Sequence, residues 1–176
     1  MMRYCTFCLD PITQNGPVDG QWIWPLPRLG RNPIAKRISD RMLAVDISYP
    51  DPQCPDQLFV DVHAAQAGLV SFAAQTGHGF TVSLEHDGWT THYDHLDRLF
   101  VDPTLGRRQR RRARVRRGDV IGYAAQSPLH IRFGLCRWTD EHAYVPADPV
   151  AHMKDWVVTP TADDFRRIMH AAGGAA

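Results

Sequence analysis

Cysteine is the first residue type in this chain whose spacing could support chemistry. The chain holds four cysteines, and two residues separate Cys5 from Cys8. Two thiolates at this spacing can share a structural zinc ion, but a tetrathiolate site needs a second close pair, and Cys54 and Cys136 are far apart in sequence. Two interpretations stay open: reduced, partly buried thiols, or a small zinc or disulfide link near the N-terminus.

A run of arginines is the second such feature. Eight of the 20 basic residues lie within 107–117, and the remaining 12 face 19 acidic residues. The cluster could contact several phosphates or an acidic protein surface, whereas the lack of interleaved aromatic residues argues against base stacking. A solvated loop is the alternative. The candidate anion-binding residues are Arg107, Arg108, Arg110, Arg111, Arg112 and Arg114.

Histidines occur in segments that alternate between apolar and polar residues. Residues 80–86 and 89–95 flank Asp87-Gly88, which predicts a hairpin with a two-residue type I′ turn. This register places His95 on the same face as Tyr93 and leaves His92 and Asp94 on the other face. The predicted pairs are His86–Trp89, Leu84–Thr91, Val82–Tyr93 and Phe80–His95.

One further strand is predicted over residues 130–135. Period-two alternation puts His130, Arg132 and Gly134 on one face and apolar residues on the other. Together with the hairpin, this strand indicates a mainly β, single-domain fold.

The two ends of the chain differ from this β-rich centre. Residues 1–40 are rich in Pro and Gly, which predicts an extended, irregular arm with Trp22 and Trp24 as anchors. Residues 151–176 are expected to form a C-terminal tail with a short helix over about 161–172, where Thr161 is the candidate N-cap.

Length and composition narrow the class of protein. The chain has 176 residues, of which 44% are hydrophobic and 22% charged, with a net charge of +1. These values are typical of a globular domain with a real core and argue against wholesale disorder. No apolar stretch reaches the roughly 18 residues needed to cross a bilayer. The N-terminal residues lack an apolar signal-peptide core, so we expect neither a membrane segment nor a signal peptide.

Short segments follow one another in a fixed order along the chain. The segments are Trp24-Pro25-Leu26-Pro27, Ile38-Ser39-Asp40-Arg41, Val45-Asp46-Ile47, the stretch from Val62 to Val70, Gly77-His78-Gly79, Val82-x-Leu84-x-His86, Tyr93-Asp94-His95-Leu96, the stretch from Arg116 to Gly122, and Leu129-His130-Ile131-Arg132-Phe133. In this order they resemble a known family, the lysostaphin/LytM-like zinc metallopeptidases (family twenty-three of the metallopeptidases). The resemblance covers residues 22–150, and its specificity comes from the ordered set rather than from any single segment.

The resemblance implies a fold and an activity. We expect a single antiparallel β-sheet domain of the LytM-like peptidase type over 41–150, with a groove over the sheet. Family members cut peptide cross-bridges of peptidoglycan with a zinc-bound water, because a zinc ion with few protein ligands keeps an open position. On this resemblance Asp46 and His130 are remnants of the metal ligands, and His95 is a remnant catalytic histidine.

The match is incomplete at the residues that matter most. Met42 stands where the third metal ligand is expected, and Pro128 stands where a partner histidine of His95 is expected. Arg132 adds positive charge beside the cation site. A thioether is a poor partner for zinc, and proline has no ring nitrogen to ligate a metal or move a proton. We expect no zinc in the groove, with zinc held by Asp46, His130 and one of His63, His78 or His92 as the alternative.

The leading functional hypothesis is a catalytically degenerate, peptidoglycan-endopeptidase-like domain that acts as a structural or binding component, in the tail of a bacteriophage virion. The expected partners are other virion proteins or peptidoglycan, with no membrane and with nucleic acid less favoured. The expected location is the virion, or the host cytoplasm during assembly. Two alternatives are an active zinc metalloendopeptidase with substituted ligands and an anion-binding adaptor that uses the arginine run.

Overall fold

The computed structural model describes residues 21–28, 32–39, 42–49, 59–101, 113–125, 130–139 and 143–159. Within these ranges the chain is built from short β-strands and one short helix, α1. The elements are β1 Ile34–Ser39, β2 Met42–Ser48, β3 Phe59–His63, β4 Gly68–Thr76, β5 Gly79–His86, β6 Trp89–Leu96, β7 Arg98–Leu99, β8 Arg114–Val115, β9 Val120–Ala125, β10 His130–Trp138, β11 Tyr144–Ala147 and α1 Pro149–Met153.

The strands form a large sheet and a small one, and all their pairings are antiparallel. The large sheet has the order β1-β2-β10-β6-β5-β4-β8, and β11 pairs with the end of β10 that β2 leaves free. The small sheet has the order β3-β9-β7. The expected mainly β, antiparallel fold is therefore confirmed.

The core lies against one face of the large sheet. Strict alternation in β10 buries Ile131, Phe133 and Leu135, and alternation in β2 buries Val45 and Ile47. Of these side chains, Ile131, Phe133, Val45 and Ile47 belong to one hydrophobic cluster that also includes apolar residues of the small sheet, namely Val60, Val62, Ile121 and Ala124. Because alternate residues point to opposite sides, the other face of the large sheet carries the polar residues of the same strands.

We call that side of the sheet the polar face. It is defined by Asp46, His92, Asp94, His95, His130 and Arg132, all of intermediate exposure.

The β5–β6 hairpin forms with the predicted register over most of its length. The pairs His86–Trp89, Leu84–Thr91 and Val82–Tyr93 are confirmed. The turn type is not as predicted, because a type I′ turn needs a positive φ at both central residues, and of the two only Gly88 has one, at +71°.

The fourth predicted pair is wrong, because Phe80 pairs with Leu96 instead of His95. His95 has a φ of +66° and is the only described non-glycine residue in the left-handed region. The extra residue forms a bulge, so that Leu96 points into the core and His95 joins His92 and Asp94 on the polar face. The predicted separation of His95 from His92 is therefore corrected.

The segment 21–28 is anchored to the domain by backbone hydrogen bonds and tryptophan rings. The N–H of Ile23 donates to the carbonyl of Ala65, and the N–H of Trp24 donates to the carbonyl of Val157. Trp22 stacks on Trp156 with ring centroids 5.0 Å apart. The two tryptophans thus make the contacts expected of anchors.

Part of the range 1–40 is regular structure. Ile34–Ser39 forms β1 at an edge of the large sheet and pairs with β2. The placement of a domain boundary at residue 40 stays a prediction.

The described helix, α1, lies before the predicted one. Pro149 stands in its first turn, and the side chain of Asp148 accepts a hydrogen bond from the N–H of Val150 at 3.1 Å. The predicted helix over 161–172 lies outside the described residues. Among those that are described, no helix is long and apolar enough to span a membrane.

Candidate functional site

Three neighbouring strands bring the charged residues of the polar face together. Arg132 on β10 lies directly opposite Asp46 on β2 and, on its other side, opposite Asp94 on β6. Residues directly opposite one another in an antiparallel pair have Cβ atoms about 5 Å apart and share a face. The register alone therefore places one guanidinium between two carboxylates.

The first carboxylate is bound to the arginine. Nε of Arg132 donates to Oδ1 of Asp46 at 3.1 Å. The two side chains are 30% and 32% exposed, so the ion pair is partly shielded from water. Asp46 is in this way already paired with a permanent positive charge, because an arginine does not lose its proton in a protein.

The second carboxylate has a different partner. Oδ1 of Asp94 accepts a hydrogen bond from the hydroxyl of Thr81 on β5 at 2.6 Å. Asp94 therefore lies opposite Arg132 in the register but is held toward β5.

Two histidines contact each other beside the charged residues Asp46, Arg132 and Asp94. Nδ1 of His95 lies 2.9 Å from Nε2 of His130, a hydrogen-bond distance, and the ring centroids are 5.0 Å apart. His78, in the turn between β4 and β5, has its ring 5.8 Å from that of His95. The left-handed backbone of His95 is what turns its ring toward His130.

The environment of His95 favours its neutral form. Loss of water lowers the pKa of His95, and electrostatic interactions with Arg132 and His130 lower it further, while Asp46 and Asp94 oppose this shift.

His92, one of the three alternative metal ligands offered by the sequence, also lies on this face. Its Nδ1 lies 2.8 Å from the hydroxyl of Ser83, and burial lowers its pKa. Its ring covers Gly134, where an added Cβ would lie 3.6 Å from the Cβ of His92. The alternation of β6 correctly predicted that His92 and Asp94 share a face, but the bulge that adds His95 to them leaves no signal in the alternation.

His63 belongs to another part of the molecule. It lies at the end of β3 in the small sheet, is 8% exposed, and its Nδ1 is 2.9 Å from the carbonyl oxygen of Gly118. Burial lowers its pKa, and the hydrogen bond to Gly118 and the charges of Asp61 and Asp119 oppose that shift. This histidine is part of the packing between the small sheet and the turn before β9.

The described residues do not fit a zinc ion. The two expected ligands have separate partners, since Asp46 binds Arg132 and His130 contacts His95. No group of three His, Cys, Asp or Glu side chains among the described residues is arranged to hold a metal. A guanidinium beside the carboxylate adds a like charge next to any incoming cation. The side chain of Met42 and all of Pro128 lie outside the described residues.

Several other candidates also lie outside the described part of the chain. These are Cys5, Cys8 and the arginines of 107–112. Arg114, in β8, is exposed. Cys136, on β10, is a free thiol whose pKa is raised by burial.

Comparison with known proteins shows the fold. No family model matches the sequence, and no curated protein matches it. A putative peptidase M23 from Pseudomonas aeruginosa superposes with a TM-score of 0.53 at 17% identity, over 80% of this chain and 53% of that one. A chain of the SpoIIQ–SpoIIIAH pore-forming complex gives 0.52 at 17% identity, over 81% and 94% of the two chains. Helicobacter pylori Csd3 gives 0.51 at 16% identity, over 88% and 41%.

These identities establish a shared architecture and nothing finer. The chain spans about two fifths of Csd3 and about half of the Pseudomonas protein. The LytM-like peptidase fold expected from the sequence is confirmed.

Proposed function

We propose that this chain is a non-hydrolysing domain with a peptidoglycan-endopeptidase fold, and that it binds the peptides of peptidoglycan through its polar face. In this proposal it serves as a structural or binding component of a bacteriophage particle, in the tail. The Asp46–Arg132 ion pair is the observation that carries the proposal, because it changes the chemistry of the position where the resemblance expects a metal.

The charge of Arg132 supports loss of hydrolysis. In a zinc peptidase the carboxylate at this position would give its negative charge to the metal. Here the guanidinium already neutralises that carboxylate at 3.1 Å. A zinc ion would have to displace the arginine from Asp46 and then accept it as a charged neighbour, which is unfavourable.

The histidine pair supports the same conclusion. His95 and His130 contact each other at 2.9 Å. The sequence has Pro128, and not histidine, two residues before His130. The pair thus keeps hydrogen-bonding groups on the polar face that a bound ligand could meet, without the ligand set that activates a water.

Peptide binding suits the groups that remain. The polar face offers the guanidinium of Arg132, the carboxylate of Asp94 and the imidazole of His92, all on half-buried side chains. Peptide amides, amines and carboxylates are the groups that such side chains recognise. The stem peptides of peptidoglycan contain amides, amines and carboxylates.

The test uses purified peptidoglycan sacculi. We expect the folded chain to sediment with sacculi while releasing no soluble fragments and no new amines, with zinc present or absent. The opposite result is zinc-dependent release of fragments that disappears in His130→Ala, which would restore the enzyme interpretation. A chain that does not sediment with sacculi would contradict the binding proposal.

The virion setting needs its own test. Purified phage particles that encode this chain should contain it as a stoichiometric component, measured by mass spectrometry of the particle proteins. Absence from particles, with the chain found only in lysate, would contradict this part of the proposal.

A further inference from the structure

We propose that Arg132 is the residue that recognises a carboxylate of the peptide bound on the polar face. This inference rests on the proposed binding function and names the chemical class of its ligand, a peptide with free carboxylates. It follows from how the guanidinium is held and from which of its N–H groups are used.

Among the described residues, Arg132 is anchored through one nitrogen, Nε. Its Nε–H donates to Asp46, and among the described residues no other group accepts a hydrogen bond from the guanidinium. The N–H groups of Nη1 and Nη2 thus have no acceptor in the described part of the chain, and the side chain is 30% exposed. The anchored arginine therefore presents donors toward solvent in a restricted orientation.

The geometry of the guanidinium matches a carboxylate. Its N–H groups lie in one plane and can form two parallel hydrogen bonds to the two oxygens of a carboxylate. Holding the side chain through Nε reduces the entropy lost when those bonds form. Asp46 is thus a positioning residue for Arg132, and Arg132 is the contact residue.

The neighbouring acid does not occupy these donors. Asp94 lies opposite Arg132 in the register, but the hydroxyl of Thr81 donates to it at 2.6 Å. Within the described part of the chain no carboxylate other than that of Asp46 accepts from Arg132, so its Nη groups can donate to a carboxylate of the ligand.

The charged residues that lie opposite one another across the large sheet form a row with no net charge, so the row does not repel an anion. Lys36 on β1 lies opposite Asp46 and is exposed, so the row across the sheet runs Lys36, Asp46, Arg132, Asp94. Two positive and two negative side chains cancel.

Wall stem peptides carry such carboxylates, on the glutamate-derived residue and at the C-terminus. The probe is a synthetic stem tetrapeptide, Ala–D-isoGlu–Lys–D-Ala, made with both carboxylates free and with both as amides. Isothermal titration calorimetry with the whole chain measures the affinity for each form.

We expect the wild-type chain to bind the acid form more tightly than the amide form. Arg132→Gln should weaken binding of the acid form by about tenfold or more and leave the amide form nearly unchanged, because a charge-assisted pair is lost. Arg132→Lys should recover only part of the loss, since a lysine cannot form the planar double contact. Equal affinity of wild type and Arg132→Gln for the acid form would overturn the inference.

Arg98→Gln is the matched control. Arg98 lies exposed on β7 of the small sheet, and its replacement changes the net charge by the same amount. It should bind both peptides as the wild type does. If Arg132→Gln does not fold, as judged by its circular dichroism and thermal transition, Arg132→Lys and the comparison of the two peptides on the wild type carry the test.

The outcome separates this inference from the proposed function. Sedimentation with sacculi that persists in Arg132→Gln, with no preference for the acid peptide, would remove the role of Arg132 and keep the binding function. If the wild-type chain itself does not sediment with sacculi, both the role of Arg132 and the binding function are contradicted.

Discussion

Nε of Arg132 lies 3.1 Å from Oδ1 of Asp46, across the pairing of strands β10 and β2. Asp46 and Arg132 are 86 positions apart in the sequence, so that only the sheet order brings the two side chains together. The contact places a permanent cation at the carboxylate that the resemblance to metallopeptidases assigns to zinc.

The ion pair makes a measurable contribution to stability. Because both side chains are about one third exposed, we expect a coupling free energy of about 0.5–1 kcal/mol between Asp46 and Arg132. A double-mutant cycle of Asp46→Asn and Arg132→Gln, measured by urea unfolding, gives this value. A coupling of zero would mean that the two residues do not interact in solution.

Phe133 is a main packing residue beneath the polar face. It is fully buried, and its ring contacts Tyr93 and Trp156 at centroid distances of 5.3 and 5.8 Å. Phe133→Ala should lower the free energy of unfolding by about 3–5 kcal/mol. The control is Phe72→Ala, because Phe72 is 41% exposed and its loss should cost far less. Similar losses in the two variants would contradict the assignment of the core.

The backbone of Gly79 passes close to that of Leu96, next to the bulge at His95. Gly79 has a φ of +108°, and an added Cβ would lie 2.6 Å from the carbonyl oxygen of Leu96. Gly79→Ala should therefore lower the free energy of unfolding by at least about 1–2 kcal/mol. Gly77→Ala is the control, since nothing lies within 4 Å of its added Cβ. Equal thermal stability of the two variants would be evidence against this backbone geometry.

Stability should fall in mild acid. Among the described histidines, His63, His86, His92 and His95 all have a pKa lowered first by burial. The unfolded chain therefore binds protons more readily than the folded chain. The contribution of these neutral histidines to the free energy of unfolding is fully present above about pH 6.5 and is lost as the pH falls through their lowered pKa values. Thermal unfolding between pH 7.5 and pH 5 measures the effect.

His63 is the variant that tests this pH dependence. His63→Asn keeps an N–H that can donate to the carbonyl of Gly118 but does not titrate. Its melting temperature should depend less steeply on pH than that of the wild type. A variant with the same slope would mean that His63 does not contribute.

Those parts of the fold that depend on neighbouring residues could be predicted from the sequence alone. Alternation in residues 130–135 correctly assigned the buried and the polar face of β10, and Asp87-Gly88 correctly located the hairpin turn. Both features depend on neighbours in sequence, for which period-two patterns and turn residues are direct signals.

Two parts of the site depend on distant pairing and could not be read in this way. The left-handed backbone of His95 has only a weak residue-type signal, because histidine enters that region more often than most residues but still in a small minority of cases. The partner of Asp46 depends on β10 lying next to β2, which brings Arg132 opposite Asp46 and leaves His130 opposite Ser48. Asp46 and His130, expected as a metal pair, thus lie on the same face with different partners.

Zinc content tests the central claim most directly. The chain is purified with Cys5→Ser and Cys8→Ser, so that the N-terminal thiols cannot contribute, then incubated with zinc, desalted and measured by elemental mass spectrometry. The account predicts no stoichiometric zinc, and no change in zinc content in His130→Ala. One zinc per chain that is lost in His130→Ala would contradict it, because the polar face would then hold a metal in spite of the Asp46–Arg132 ion pair.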